Sequence, residues 1–185
     1  NDYIVTFDDG SESLYRYRDI ISTKGQAQIF FIRTDKINRK NYLSSTQIQV
    51  LSNYFKIHSH SHSHPNHFLL NDREIRQEGM ISKQNIENIT GNPVKFYAFP
   101  GGDFSFRSIK ILAEIGYREF FTSVPLFFTR NLRYNGVTLN IHGRVEVFSP
   151  GYSTIERYYS LSVVSRRLLR HTLGFSNRYI RSRLK

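Results

Sequence analysis

The sequence contains no cysteine. Thiol nucleophiles, disulfides and cysteine-ligated zinc are therefore excluded together. No apolar run approaches the ~20 residues of a membrane-spanning helix. The chain opens at Asn1 with neither a basic stretch nor an apolar one behind it, so no targeting segment is legible and it reads as a partial or trimmed chain. No internal repeat is visible.

What is present suits one globular domain. The chain has 185 residues, 15 of them Phe and 12 Tyr, enough apolar bulk for a sizeable core. A net charge of +11 would ordinarily suggest an anionic partner. Most of that charge lies at one end, because residues 151–185 hold eight Lys or Arg against the single acid Glu156. No specific nucleic-acid partner is expected on that distribution. The segment also spaces Ile155, Tyr158, Leu161, Val164 and Leu168 as a helix would, so it reads as a basic helical tail suited to a membrane surface or an anionic polymer.

Residues 1–150 alternate strand-like and helix-like segments. Tyr3–Phe7, Gln28–Ile32, a short run to His58, Val94–Phe99, Arg118–Thr122 and Val137–Ile141 read as strands. Helices are expected from Ser11 to Thr23, Ser45 to Phe55 and Ser105 to Glu114. Another should start after an Asn71 cap completed by Glu74 and end at Gly91. Such alternation predicts an α/β fold with a parallel sheet, open or closed into a barrel. Working residues in such sheets lie just beyond the carboxyl ends of strands. Asp8-Asp9, His58 to His64 and Pro100 to Asp103 all fall there.

Neighbouring strand residues point to opposite faces, so Asp8 and Asp9 converge only if the chain turns, which Gly10 permits. Two acids in one site can divide labour, one binding a metal and one acting as a base. His60 and His64 would lie about 13 Å apart in an extended strand, too far to share an ion, so joint ligation requires the chain to coil there. Two imidazoles and one carboxylate leave positions open for water and substrate, which favours hydrolysis over a closed structural site. That donor set accepts zinc, cobalt, nickel or manganese.

Thr6-Phe7-Asp8-Asp9-Gly10, followed by His60-Ser61-His62-Ser63-His64-Pro65, resembles the TFDDG and H-S/T-x-x-H-P motifs of the polysaccharide deacetylase (NodB-homology) family. Phe96-Tyr97-Ala98-Phe99-Pro100-Gly101-Gly102 is similar to its third motif in the F-A-Y-P-Y-G form, and the likeness runs from about Tyr3 to Val147. The resemblance implies a distorted, incomplete (β/α) barrel of about seven parallel strands over residues 1–150. It implies hydrolysis of N-acetyl or O-acetyl groups of a polysaccharide outside the cytoplasm or at the cell envelope. One divalent metal, zinc first, would be held by Asp9, His60 and His64, with Asp8 as the base. Pro100 and Gly101 would lie at the substrate, the Gly101 N–H serving the oxyanion. His142, after a late strand, is the candidate general acid.

Three departures from the pattern matter. Ala98 stands where many members carry an arginine that pairs with the catalytic aspartate. Gly101 replaces an aromatic residue, and His58 replaces a usual glycine. His58 is read as a rim residue, and His67 and His171 as surface histidines. The alternative function is a metal- and glycan-binding module without turnover.

Overall fold

The structure, a computed structural model, describes residues 4–22, 28–124 and 130–144. The expected basic tail over 151–185 and His171 lie outside the described residues. Seven strands form one sheet in the order β1-β2-β3-β4-β5-β7-β6. They are β1 (Val5–Phe7), β2 (Gln28–Ile32), β3 (Lys56–Ser59), β4 (Phe96–Ala98), β5 (Glu119–Thr122), β6 (Arg130–Tyr134) and β7 (Val137–Gly143). Every pairing is parallel except β6 with β7. That exception is a hairpin turning through Asn135 (φ 47°) and Gly136 (φ 76°), a pair of left-handed residues that matches the natural twist of two strands.

The sheet is curled. Five strand spacings separate β1 from β7, about 24 Å in a flat sheet. Yet Arg144, one residue past β7, donates to Thr6 Oγ1 on β1 at 3.1 Å. A single side chain can span that gap only if the sheet wraps round as a half-barrel, as expected for an incomplete (β/α) barrel.

Strand parity sorts the core into two layers. Phe30, Ile32, Ile57, Tyr97, Phe99, Phe120, Leu139 and Ile141 face the helices, where they meet Ile48, Leu51, Ile75, Ile86, Ile109 and Leu112. Ile29, Phe31, Ala98 and Phe121, with Phe96 beside them, fill the concave face. Both faces of β2 are thus covered, which explains its unbroken apolar run.

The helices are α1 (Ser13–Arg16), α2 (Arg18–Ser22), α3 (Ser45–Leu51), α4 (Asp72–Thr90) and α5 (Phe106–Glu114). The single helix expected over Ser11 to Thr23 is broken at Tyr17 (φ −103°, ψ 13°), and Ser11 is drawn into a bridge with Tyr42. The α4 helix follows its local signals closely. Asn71 and Glu74 close a capping box, Gly91 ends the helix at φ 70°, and Ile75, Gly79, Ser82 and Ile86 form its buried stripe. Ser105 caps α5, its side chain accepting the Ser108 N–H. Among the described residues no helix is long and apolar enough to cross a membrane.

Candidate metal and catalytic site

The site is built where three parallel strands end. Beyond β1, Asp9 takes a left-handed conformation (φ 68°), Gly10 follows at φ 77°, and the Gly10 N–H donates to Asp8 O at 2.9 Å. This tight turn swings both carboxylates to one side. Beyond β3 the chain coils as the histidine spacing required, through Ser61 (φ 66°) and His64 (φ 64°) rather than through a helix. Ser61 Oγ accepts the His64 N–H at 3.0 Å and fixes the coil. The His60 and His64 rings come within 4.8 Å of each other, centroid to centroid.

Asp9 Oδ1 lies 3.7 Å from His60 Nε2 and 3.6 Å from His64 Nε2. One ligand atom from each of the three residues falls within 4.8 Å of the others. Ligand atoms about 3.4 Å apart follow from tetrahedral bonds of about 2.1 Å, so the three fit one small divalent ion. The tautomer fits as well. His60 is 2% exposed and its Nδ1 donates to Ala98 O at 2.9 Å, which leaves the Nε2 lone pair facing the cluster. Burial holds the His60 imidazole below its usual pKa against the pull of Asp8, which shifts it toward the neutral form a metal needs.

Asp8 is held differently. Arg144 grips it with both arms, Nη1 to Oδ1 at 2.7 Å and Nη2 to Oδ2 at 2.8 Å. Burial pushes the Asp8 carboxyl up, but His60 and the Arg144 guanidinium outweigh it and hold the group below its ordinary value. The result is an ionised, oriented carboxylate beside the three-ligand cluster, with His60 Nε2 3.7 Å from its Oδ2. Arg144 thus supplies the partner that Ala98 cannot. Its position just past a late strand, on the rim that carries the other polar clusters, was the available sequence signal.

The turn after β4 brings Pro100 and Gly101 to the same rim. Gly101 is exposed with φ 61°, has open space around it, and its N–H finds no acceptor among the described residues. Gly102 differs: a Cβ there would lie 2.4 Å from Ser123 N, so only glycine lets the turn lie against the end of β5.

His142 lies on the concave face of β7, its ring stacked on Phe121 and its Nε2 2.7 Å from Glu119 Oε2. Asn140 Nδ2 donates to the other Glu119 oxygen at 2.8 Å. His142 is two residues, about 7 Å of strand, below Arg144. His58 and His67 both depart from their sequence readings. His58 is 8% exposed and packs on Phe96 inside the half-barrel, and His67 is 1% exposed with its Nε2 2.9 Å from Tyr97 Oη. His58 points inward because it shares strand parity with His60. His67 is drawn under the surface by the loop that descends from the rim to α4.

Comparison with known proteins gives a consistent result. The family model described as polysaccharide deacetylase matches residues 2–120. Among solved structures, IcaB from Ammonifex degensii shares 22% identity over 84% of this chain and 71% of its own, with a TM-score of 0.64. A de-N-acetylase from Aggregatibacter actinomycetemcomitans shares 15% over 84% of this chain and 74% of its own, at 0.65. A carbohydrate esterase family pseudoenzyme from Bacillus anthracis shares 22% over 66% of this chain and 43% of its own, at 0.57. The chain spans only 40–54% of the length of several other solved deacetylases. A comparison with curated proteins finds no match.

Proposed function

Since the chain belongs to the polysaccharide deacetylase family, we propose that it is a metal-dependent hydrolase that removes N-acetyl, or alternatively O-acetyl, groups from a polysaccharide. The observation that carries this reading is an ionised carboxylate, Asp8, held by Arg144 beside a cluster of Asp9, His60 and His64 that is complete without it. A module that only bound metal and glycan would have no use for that spare base, so turnover is the better reading. The name of the de-N-acetylase relative supports the amide as the bond cleaved.

Asp9, His60 and His64 would hold one divalent ion, zinc first and cobalt, nickel or manganese with the same donors. That ion would supply Lewis-acid polarisation of the acetyl carbonyl and acidify a water. Asp8 receives the proton of the attacking water at a carboxylate oxygen, and Arg144 keeps that carboxylate ionised and aimed. The Gly101 N–H donates to the oxygen on which negative charge develops, with Pro100 fixing the turn that presents it. His142 is assigned the proton delivered to the leaving amine. The substrate is an acetylated polysaccharide or oligosaccharide, and an extracytoplasmic or envelope location suits such a polymer.

The test is acetate release from N-acetylglucosamine oligomers by metal-free protein, by zinc-loaded protein and by Asp8→Asn. Release should require metal and fall by about 10²–10⁴-fold in Asp8→Asn with zinc stoichiometry unchanged. Full activity in that variant would remove Asp8 from the base role. Zinc binding without release from any acetylated glycan would leave the binding module.

A further inference from the structure

Resting on the metal site proposed above, we infer that Glu78 is a positioning residue: from α4 it clamps the His60–His64 loop in its ligating shape. The loop needs an external hold. Ser61 and His64 both adopt left-handed backbone, a conformation L side chains disfavour, and neither is glycine. Between them, His62 and Ser63 point their amides away from β3. The His62 and Ser63 N–H groups both donate to Glu78 Oε2 at 2.8 Å, and Ser63 Oγ–H donates to Oε1 at 2.6 Å. One carboxylate thus satisfies three donors at the outermost bend of the loop, and hydrogen bonds to a charged acceptor are the stronger kind.

The opposite flank is held by the end of β2 and the turn after it, where Thr34 Oγ1 also lies 2.9 Å from His62 Nδ1. Thr34 N–H donates to Ser61 O at 3.3 Å and Asp35 N–H to His62 O at 3.0 Å. The loop is therefore gripped between the end of β2 and α4, and Glu78 is the α4 half of the grip. Its own seat is rigid. A Cβ on the adjacent Gly79 would lie 2.4 Å from Leu112 and 2.6 Å from Ile115, so α4 lies close against α5 there. Tyr117 Oη also donates to Gly79 O at 3.0 Å. Fixed in this way, α4 sets the height of the loop, and the loop sets the separation of His60 and His64.

The experiment measures zinc affinity of the full chain by chelator competition, together with the visible spectrum of the cobalt-loaded protein, for wild type, Glu78→Ala, Glu78→Gln and Ser63→Ala. Glu78→Ala should weaken zinc by about 10–100-fold and alter the cobalt spectrum. Glu78→Gln keeps an acceptor for the two amides and should bind zinc near the wild-type value. Ser63→Ala should show a smaller loss than Glu78→Ala. Wild-type affinity and an unchanged cobalt spectrum in Glu78→Ala would overturn the inference. Should Glu78→Ala fail to fold, amide exchange in the metal-free wild type decides: the His62 and Ser63 amides should be protected, and exchange at exposed-loop rates would refute the clamp. A wild type that binds no zinc would sink the metal reading, while the exchange data would still report on the clamp.

Discussion

At the rim of the sheet, His60 and His64 face the carboxylates of Asp8 and Asp9 at 3.6–3.7 Å. A few residues away along the same segment, His58 and His67 are enclosed by packed rings, each with an Nδ1 that meets no hydrogen-bond partner among the described residues. Burial lowers the pKa of His58 to about 4 and that of His67 to about 3. The path of the backbone decides between these environments, and residue type does not. Where the backbone leaves the strand through left-handed residues, side chains converge and charges can be paired. His58 lies on regular β3, where parity sends its side chain into a filled layer, and His67 lies in the later turn, which tucks it against Tyr97 and Phe99.

This contrast makes rim substitutions a matter of catalysis and interior substitutions a matter of stability. Beyond the base itself, Arg144→Ala should be the most damaging, lowering kcat by about 10²–10³-fold with zinc still bound, because Asp8 loses its orienting partner. Arg144→Lys should recover only part, since an ammonium cannot reproduce the two-armed grip. Activity within twofold of wild type in Arg144→Ala would break the rim half of the comparison.

His142 stands between the two regions and sharpens the division. If it delivers the proton to the leaving amine, His142→Ala should cost about 10²-fold in kcat with zinc still bound. If activity is retained while the melting temperature falls, it belongs with Glu119 and Asn140 as an interior tie between β5 and β7.

The smallest effect concerns acid stability. A histidine whose folded pKa lies below its unfolded value near 6.5 takes up its proton only on unfolding. Its contribution is intact above pH 6.5 and is lost as pH falls toward the folded value. At pH 4.5 His67 should therefore cost metal-free protein about 2 kcal/mol relative to pH 7. His67→Gln should flatten that slope in urea titrations without altering zinc affinity, and an unchanged slope would contradict the assignment.

Much of the fold was legible in the sequence because its signals are local. The Asn71–Glu74 box and the Gly91 stop act within one helical turn, and both are found where the pattern put them. The edge strand β6 was missed although Asn135-Gly136 is a strong hairpin signal, because its exposed residues carry little apolar alternation. The two short helices before β2 were read as one, because spacing alone does not register the bridge from Ser11 to Tyr42.

The sequence by itself determined the chemistry on offer: two acids at a turn, two histidines four apart, a glycine-rich turn, and the strand ends on which they sit. Tertiary structure alone decided which of them meet and what holds them. Arg144 reaches Asp8 across 136 residues only because the sheet curls, and Glu78 reaches the histidine loop from α4, whose Gly79 lies close against the side chains of Leu112 and Ile115. Such partnerships follow from the three-dimensional path of the chain, and no local periodicity encodes that path.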